Sequence, residues 1–266
     1  MASVASVRAV LIDIDGVLTV SWRPLPGAVE ALRAIRAAGL GVALVTNTTS
    51  RTRASVARTL ADAGFAVSAQ DILTAPAATA AHLAGARCAL LSSGDVREDL
   101  EGLTLVDAEG DDGGAAVPDV VLLGGAGPEF AYAALNRAFG HLQRGARLVA
   151  MHRNLYWRTD EGLQLDAGAF VAGLEAAAGV TAEVTGKPSR AFFEAALGRL
   201  GAGPGEALMI GDDIESDVLA AQRLGITGVL VRTGKFLPEA VERAGGSPDH
   251  VLDSFAGLPG LLGLAQ

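Results

Sequence analysis

Apolar runs of strand length recur along this chain, and several close on a polar residue. Residues 8–12 are almost wholly apolar and stop at Asp13, the pattern of a strand buried on both faces of a parallel sheet. Pro26 and Gly27 then open a stretch, 28–38, in which Val29, Leu32 and Ile35 recur at helical spacing before Gly39 stops it. A second apolar run, 41–45, ends at Thr46, and a helix with Val56 and Leu60 on one face runs on to Gly64. Strand, helix, strand, helix predicts a parallel sheet joined by right-handed crossovers.

The same grammar returns near the C-terminus, with strands over 207–210 and 228–231 and a helix over 217–224. Between the halves, strands are expected at 89–92, 120–123 and 148–151 and helices at 129–143 and 170–178. The acidic, Gly-rich stretch 107–114 reads as an exposed, mobile loop. The fold class is therefore α/β: a Rossmann-like core with a parallel sheet, made of 1–76 and 184–266, interrupted by an α/β domain over 77–183.

Chemistry collects where the apolar runs end. Asp13-Ile14-Asp15-Gly16, Thr46-Asn47, Gly186-Lys187-Pro188 and Gly211-Asp212-Asp213 with Asp217 supply acidic, hydroxyl, basic and acidic elements in that order. Alone, each has an ordinary reading. Asp-x-Asp after a strand is commonly a turn or cap, Thr-Asn an N-cap, a lysine a solvated charge. Together, at strand ends where open α/β sheets bind ligands, they read as one phosphoryl-transfer site.

Asp13 and Asp15, two apart in extended chain, point to one side, so Asp13 can attack phosphorus and Asp15 can protonate the leaving oxygen and later activate water. Crowded carboxylates about 4 Å apart repel by roughly 4 kcal/mol at an effective dielectric of 20. An all-oxygen set of this kind asks for Mg²⁺, with Asp13, Asp212 and the Asp15 carbonyl as ligands and Asp217 orienting a water. Thr46, Asn47 and Gly16 are placed to hold phosphate oxygens, and Lys187 to offset their charge.

These segments resemble the haloacid dehalogenase (HAD) superfamily. Asp13 to Leu18 matches its nucleophile motif, Val45 to Asn47 its second, Gly186 to Ser189 its third, and Met209 to Asp217 its fourth. Leu25 to Ala28, Thr46 to Ser50, Thr185 to Ser189 and Val231 to Lys235 resemble subclass IIA, the NagD-like or p-nitrophenyl phosphatase-like group. Gly162 to Glu175 is similar to the branch that contains phospholysine phosphohistidine inorganic pyrophosphate phosphatase.

Only about thirty residues separate the first two motifs, whereas the long insertion follows the second. That placement matches the α/β cap of this subclass and disfavours a dehalogenase or the common phosphomutase layout. The resemblance implies a Mg²⁺-dependent phosphatase of small phosphorylated metabolites working through an aspartyl phosphate. The alternatives are action on pyrophosphate, phospholysine or phosphohistidine, or a non-catalytic ligand-binding protein on the same scaffold. It also implies substrate contacts from His152 and Asn154 in the cap and a homodimer through the cap. One departure stands out: Asp166-Ala167 replaces the Gly-Pro common before Gly168 in the family, adding a negative charge at the expected substrate face.

Bulk properties narrow the partners. No stretch reaches the roughly 18–20 apolar residues of a membrane span, and the first residues lack a signal-peptide pattern. The net charge of −9 disfavours nucleic acid or an anionic membrane, which need a basic footprint. A single cysteine, Cys88, excludes an internal disulfide and fits a cytoplasmic protein. Beside its strand it reads as a small buried filler.

Overall fold

The computed structural model describes residues 4–106, 118–159 and 162–264, with the backbone alone for residues 5 and 157–159. The loop expected over 107–114 lies outside the described residues. The chain separates into two compact units. One comprises Met1–Thr46, Arg53–Leu73 and Lys187–Gln266; the other comprises Asn47–Thr52 and Thr74–Gly186.

The first unit is built on a six-stranded sheet in the order His250–Leu252, Thr227–Val231, Ala207–Gly211, Ala9–Asp13, Gly41–Thr46, Ile72–Thr74. The central strand pairs in parallel with both neighbours, placing Ile12 opposite both Ile210 and Leu44 and Asp13 opposite Val45. Every residue of Ala9–Asp13, Ala207–Gly211 and Thr227–Val231 is buried, because helices cover both faces of such a sheet. The register leaves Asp13, Thr46 and Gly211 side by side at its carboxyl end.

Helix Ala28–Ala37 buries Ala28, Ala31, Leu32 and Ile35, and helix Arg53–Asp62 buries Val56, Ala57 and Leu60. That second helix starts seven residues after Thr46, so Thr46 and Asn47 lie in a loop and not, as the sequence suggested, at a helix N-terminus. The expected helix over 217–224 also differs. A π-helical turn, Ile214–Leu219, precedes a single short α-helical stretch, Ala220–Gln222. Asp213 causes the early start: its carboxylate accepts hydrogen bonds from the Glu215 and Ser216 N–H groups, both at 3.0 Å. Turns of this type are frequent at functional sites.

Helix Arg190–Leu200, which the sequence pattern did not yield, follows directly on Lys187. Ser189 caps it by accepting from the Phe192 N–H at 3.2 Å, and it buries Phe192, Phe193, Ala196 and Leu197.

The second unit has a parallel five-stranded sheet in the order Glu183–Val184, Arg147–Ala150, Val120–Leu123, Arg87–Leu91, Thr104–Val106. Helices Tyr132–Gln143 and Ala167–Ala178 pack a common apolar cluster with its strands, including Val121, Leu148, Val171 and Leu174. Helix Ala75–His82 starts at Thr74, whose hydroxyl accepts from the Ala77 N–H and donates to the buried Asp99 carboxylate at 2.9 Å. Cys88 is fully buried in its strand, and burial pushes its thiol up to about 11, so it is an inert filler. The fold is thus α/β, a Rossmann-like sheet with an inserted cap domain carrying a second parallel sheet.

Candidate active site

Three carboxylates meet at the carboxyl end of the first sheet. Asp13 closes the central strand, Asp212 follows its neighbour Ala207–Gly211, and Asp217 projects from the π turn. One oxygen from each lies within 4.8 Å of the others, and all three side chains are buried. Lys187, only 6% exposed, sets its Nζ 2.7 Å from Asp13 Oδ1 and 2.7 Å from Asp217 Oδ1. Asp15 is exposed in the turn beyond the strand, and Gly16, buried with φ 86°, follows it. A Cβ at Gly16 would overlap Asp212 Oδ2, so a side chain here would push the Asp212 carboxylate away.

The charges are not balanced by the lysine alone. Burial, and then the neighbouring Asp13, push the Asp212 carboxyl up to about 7. Burial pushes Asp217 up to about 6 although Lys187 pulls it down. Burial by itself would lower the Lys187 ammonium, but Asp13 and Asp217 outweigh it and hold its pKa above the usual lysine range. Asp212 Oδ2 accepts from the Lys235 N–H at 2.6 Å, while Asp212 Oδ1 is buried with no hydrogen-bond partner among the described residues. A buried carboxylate oxygen left without a donor is costly, and oxygen-only donors suit a hard divalent cation. The cluster therefore fits the metal site expected of this arrangement.

This predicts a pH-dependent response to metal. An Asp titrates near 3.9 when unfolded, so between about pH 4 and 7 the folded, metal-free protein keeps protons that the unfolded chain has released. The raised values of Asp212 and Asp217 stabilise the fold below about pH 4, and that stability is lost as pH rises through 6 to 7. A bound cation competes with those protons. Added Mg²⁺ is expected to raise Tm more at pH 8 than at pH 5, as thermal melts with chelator and with metal will show. An equal shift at both values would count against these carboxylates as the site.

The remaining candidates divide between the units. Thr46, buried, ends the strand beside Asp13 in the first unit. Asn47, His152 and Asn154 belong to the second. There His152 is 2% exposed; its Nδ1 accepts from the Asn154 N–H at 3.3 Å, which places the ring proton on Nε2, 3.4 Å from Thr49 Oγ1. Burial lowers its pKa despite the attraction of Asp166, so the imidazole is neutral. Asn154 is exposed.

Asp166, read in the sequence as an added negative charge at the substrate face, is engaged within its own unit. It is 8% exposed and caps helix Ala167–Ala178, accepting from the Ala167 N–H at 2.7 Å and the Ala126 N–H at 3.2 Å. Its charge is taken up by backbone donors at a helix N-terminus. Trp157 and Arg158 belong to strand Tyr156–Thr159, and their side chains lie outside the described set.

Thr233, Gly234 and Lys235, which the sequence offered only within a segment resembling the subclass and without a role, also enter the site. Beyond the Lys235 N–H bond to Asp212, Thr233 Oγ1 donates to the Gly16 carbonyl at 2.5 Å.

Comparison with known proteins places this geometry. Residues 10–105 match the haloacid dehalogenase-like hydrolase family, and residues 184–258 match a family described as HAD-hydrolase-like. The chain is 36% identical over 257 residues to human haloacid dehalogenase-like hydrolase domain-containing protein 2, covering 96% of this chain and 95% of that protein. It is 40% identical over 243 residues to phospholysine phosphohistidine inorganic pyrophosphate phosphatase of Xenopus laevis, covering 87% and 86%.

Among solved structures, NagD from Escherichia coli K-12 superposes with a TM-score of 0.83 at 29% identity, covering 94% of this chain and 97% of that one. A glycerol phosphate phosphatase from Mycobacterium tuberculosis, solved with magnesium, gives 0.83 at 28%, covering 97% and 78%. The chain belongs to the haloacid dehalogenase-like hydrolases. Within them it is a phosphatase of the NagD-like, p-nitrophenyl phosphatase-like subclass IIA.

Among the described residues no helix is long and apolar enough to cross a membrane.

Proposed function

We propose that the protein is a Mg²⁺-dependent phosphatase that hydrolyses small phosphorylated metabolites through an aspartyl phosphate formed on Asp13. The observation that supports it most is the pairing of a buried Asp13, at the end of the central strand, with Lys187 at 2.7 Å and two further buried carboxylates. Lys187 fixes the Asp13 carboxylate for attack. The free oxygen then bonds to phosphorus as the bond to the leaving oxygen breaks, and Asp15 gives its proton to that oxygen. In the second half Asp15 takes a proton from water, the water attacks phosphorus, and inorganic phosphate leaves with Asp13 restored. Asp15, exposed beyond the strand, is placed where a leaving group can reach it from solvent.

Asp13 and Asp212 side chains with the Asp15 carbonyl would hold the cation. Asp217, engaged by Lys187, would orient a water at that site. Bound there, Mg²⁺ supplies positive charge for the phosphoryl oxygens. Thr46, Asn47 and the backbone at Gly16 would bind those oxygens. Residues 1–76 and 184–266 are the catalytic core in this reading, and 77–183 the cap. In the cap Asn154 is the candidate substrate contact, with its N–H steadied by His152. The 40% identical relative, named for phospholysine, phosphohistidine and pyrophosphate, favours including P–N and P–O–P compounds among the substrates.

Inorganic phosphate release from a panel of phosphomonoesters, pyrophosphate and phosphoramidates, with Mg²⁺ and with chelator, tests the reading. Release that requires Mg²⁺ is expected. No release from any compound, with ligand binding retained, would favour a non-catalytic role. In Asp15→Asn the slowing is expected to be much greater for leaving groups of high pKa than for p-nitrophenol. Uniform slowing across leaving groups would remove Asp15 as the general acid.

A further inference from the structure

We propose that the turn Thr233-Gly234-Lys235 is a positioning element for the metal: it takes one oxygen of Asp212 and thereby presents the other to the cation. The inference rests on the Mg²⁺ reading given above. A carboxylate has two equivalent oxygens and rotates readily unless something distinguishes them. Here the Lys235 N–H holds Oδ2 at 2.6 Å, and Oδ1 is buried without a hydrogen-bond partner among the described residues. The donor is backbone, fixed by the turn, and the Lys235 side chain itself is exposed.

Two loops close on that oxygen. A Cβ on Gly234 would overlap Asp212 Oδ2 and come to 2.5 Å from the Gly16 Cα, and a Cβ on Gly16 would overlap the same oxygen and come to 3.0 Å from the Gly234 Cα. Glycine at both positions is therefore required by the close approach of the backbones. The Thr233 hydroxyl ties the loops together through the Gly16 carbonyl at 2.5 Å. Strand Thr227–Val231, beside Ala207–Gly211 in the sheet, delivers the turn to this point. Outer partners of this kind set the orientation of a metal ligand, and their loss costs about 10- to 100-fold in metal affinity.

The test is Mg²⁺ binding, measured by isothermal titration and by the Mg²⁺-induced rise in Tm, in wild type, Gly234→Ala, Thr233→Val and Thr233→Ser. Metal-free circular dichroism reports the fold of each. Gly234→Ala and Thr233→Val are expected to weaken Mg²⁺ binding by about 10-fold or more, with Thr233→Ser close to wild type because it keeps the hydroxyl. If Gly234→Ala does not fold, the contrast between Thr233→Val and Thr233→Ser decides. Wild-type affinity in folded Thr233→Val and Gly234→Ala would overturn the inference while leaving the Mg²⁺ reading intact. Absence of Mg²⁺ binding in wild type would overturn both.

Discussion

Asp13→Asn is expected to abolish turnover, lowering kcat by roughly 10⁴-fold or more, the scale seen when a covalent enzyme loses its nucleophile, while the protein stays folded. The amide has the shape of the carboxylate but no charge and little nucleophilicity, so the bond to phosphorus cannot form. Folding survives because Asp13 is one of three mutually repelling carboxylates, and neutralising it relieves that repulsion. Lys187 keeps Asp217 as an anionic partner at 2.7 Å. Phosphate release together with thermal melts checks both halves. Activity within tenfold of wild type would show that the nucleophile is another group.

The site was legible where its parts end apolar runs. The strand before Asp13 and the strand before Asp212 read as buried runs because both faces of the sheet are covered, and the carboxylates stand where hydrophobicity stops. Short edge strands such as Ile72–Thr74 and His250–Leu252 carry three residues each, too few for a pattern to rise above chance. Helix Arg190–Leu200 was missed although its signal was present: Ser189 as cap, apolar Phe192, Phe193, Ala196 and Leu197 at helical spacing, and Gly201 as stop.

Burial was the harder quantity. Asp166 is a charge in the sequence and a helix cap in the fold; its place before an apolar helical run is a local cap signal, but its burial depends on the distant Ala126 N–H being brought to it. The Thr233 to Lys235 turn was visible as part of the segment resembling the subclass, but its role was hidden for a different reason, since it acts largely through an N–H that every residue but proline possesses.

Lys187→Met is expected to be the most destabilising single change at this site, and its effect should depend on both pH and metal. The methionine fills a similar length, so the loss is chiefly electrostatic. Asp13 and Asp217 would remain buried without the ammonium now 2.7 Å from each, and removing one partner of a buried ion pair costs about 3–5 kcal/mol. In chelator at pH 8 this corresponds to a fall in Tm of roughly 10 °C.

Two routes relieve the excess negative charge. Protons can do so at low pH, since Asp212 and Asp217 already bind them near neutrality, so the fall should shrink at pH 5. Mg²⁺ can do so at pH 8, so metal should return part of the lost Tm. Turnover should nonetheless remain down by about 10²- to 10³-fold with saturating Mg²⁺, the cost of removing one preorganised charge from a phosphoryl-transfer site. Melts at the two pH values with and without metal separate these effects. A Tm unchanged in chelator at pH 8 would mean that the lysine does not balance the carboxylates it touches, and that the fold tolerates their charge by some other means.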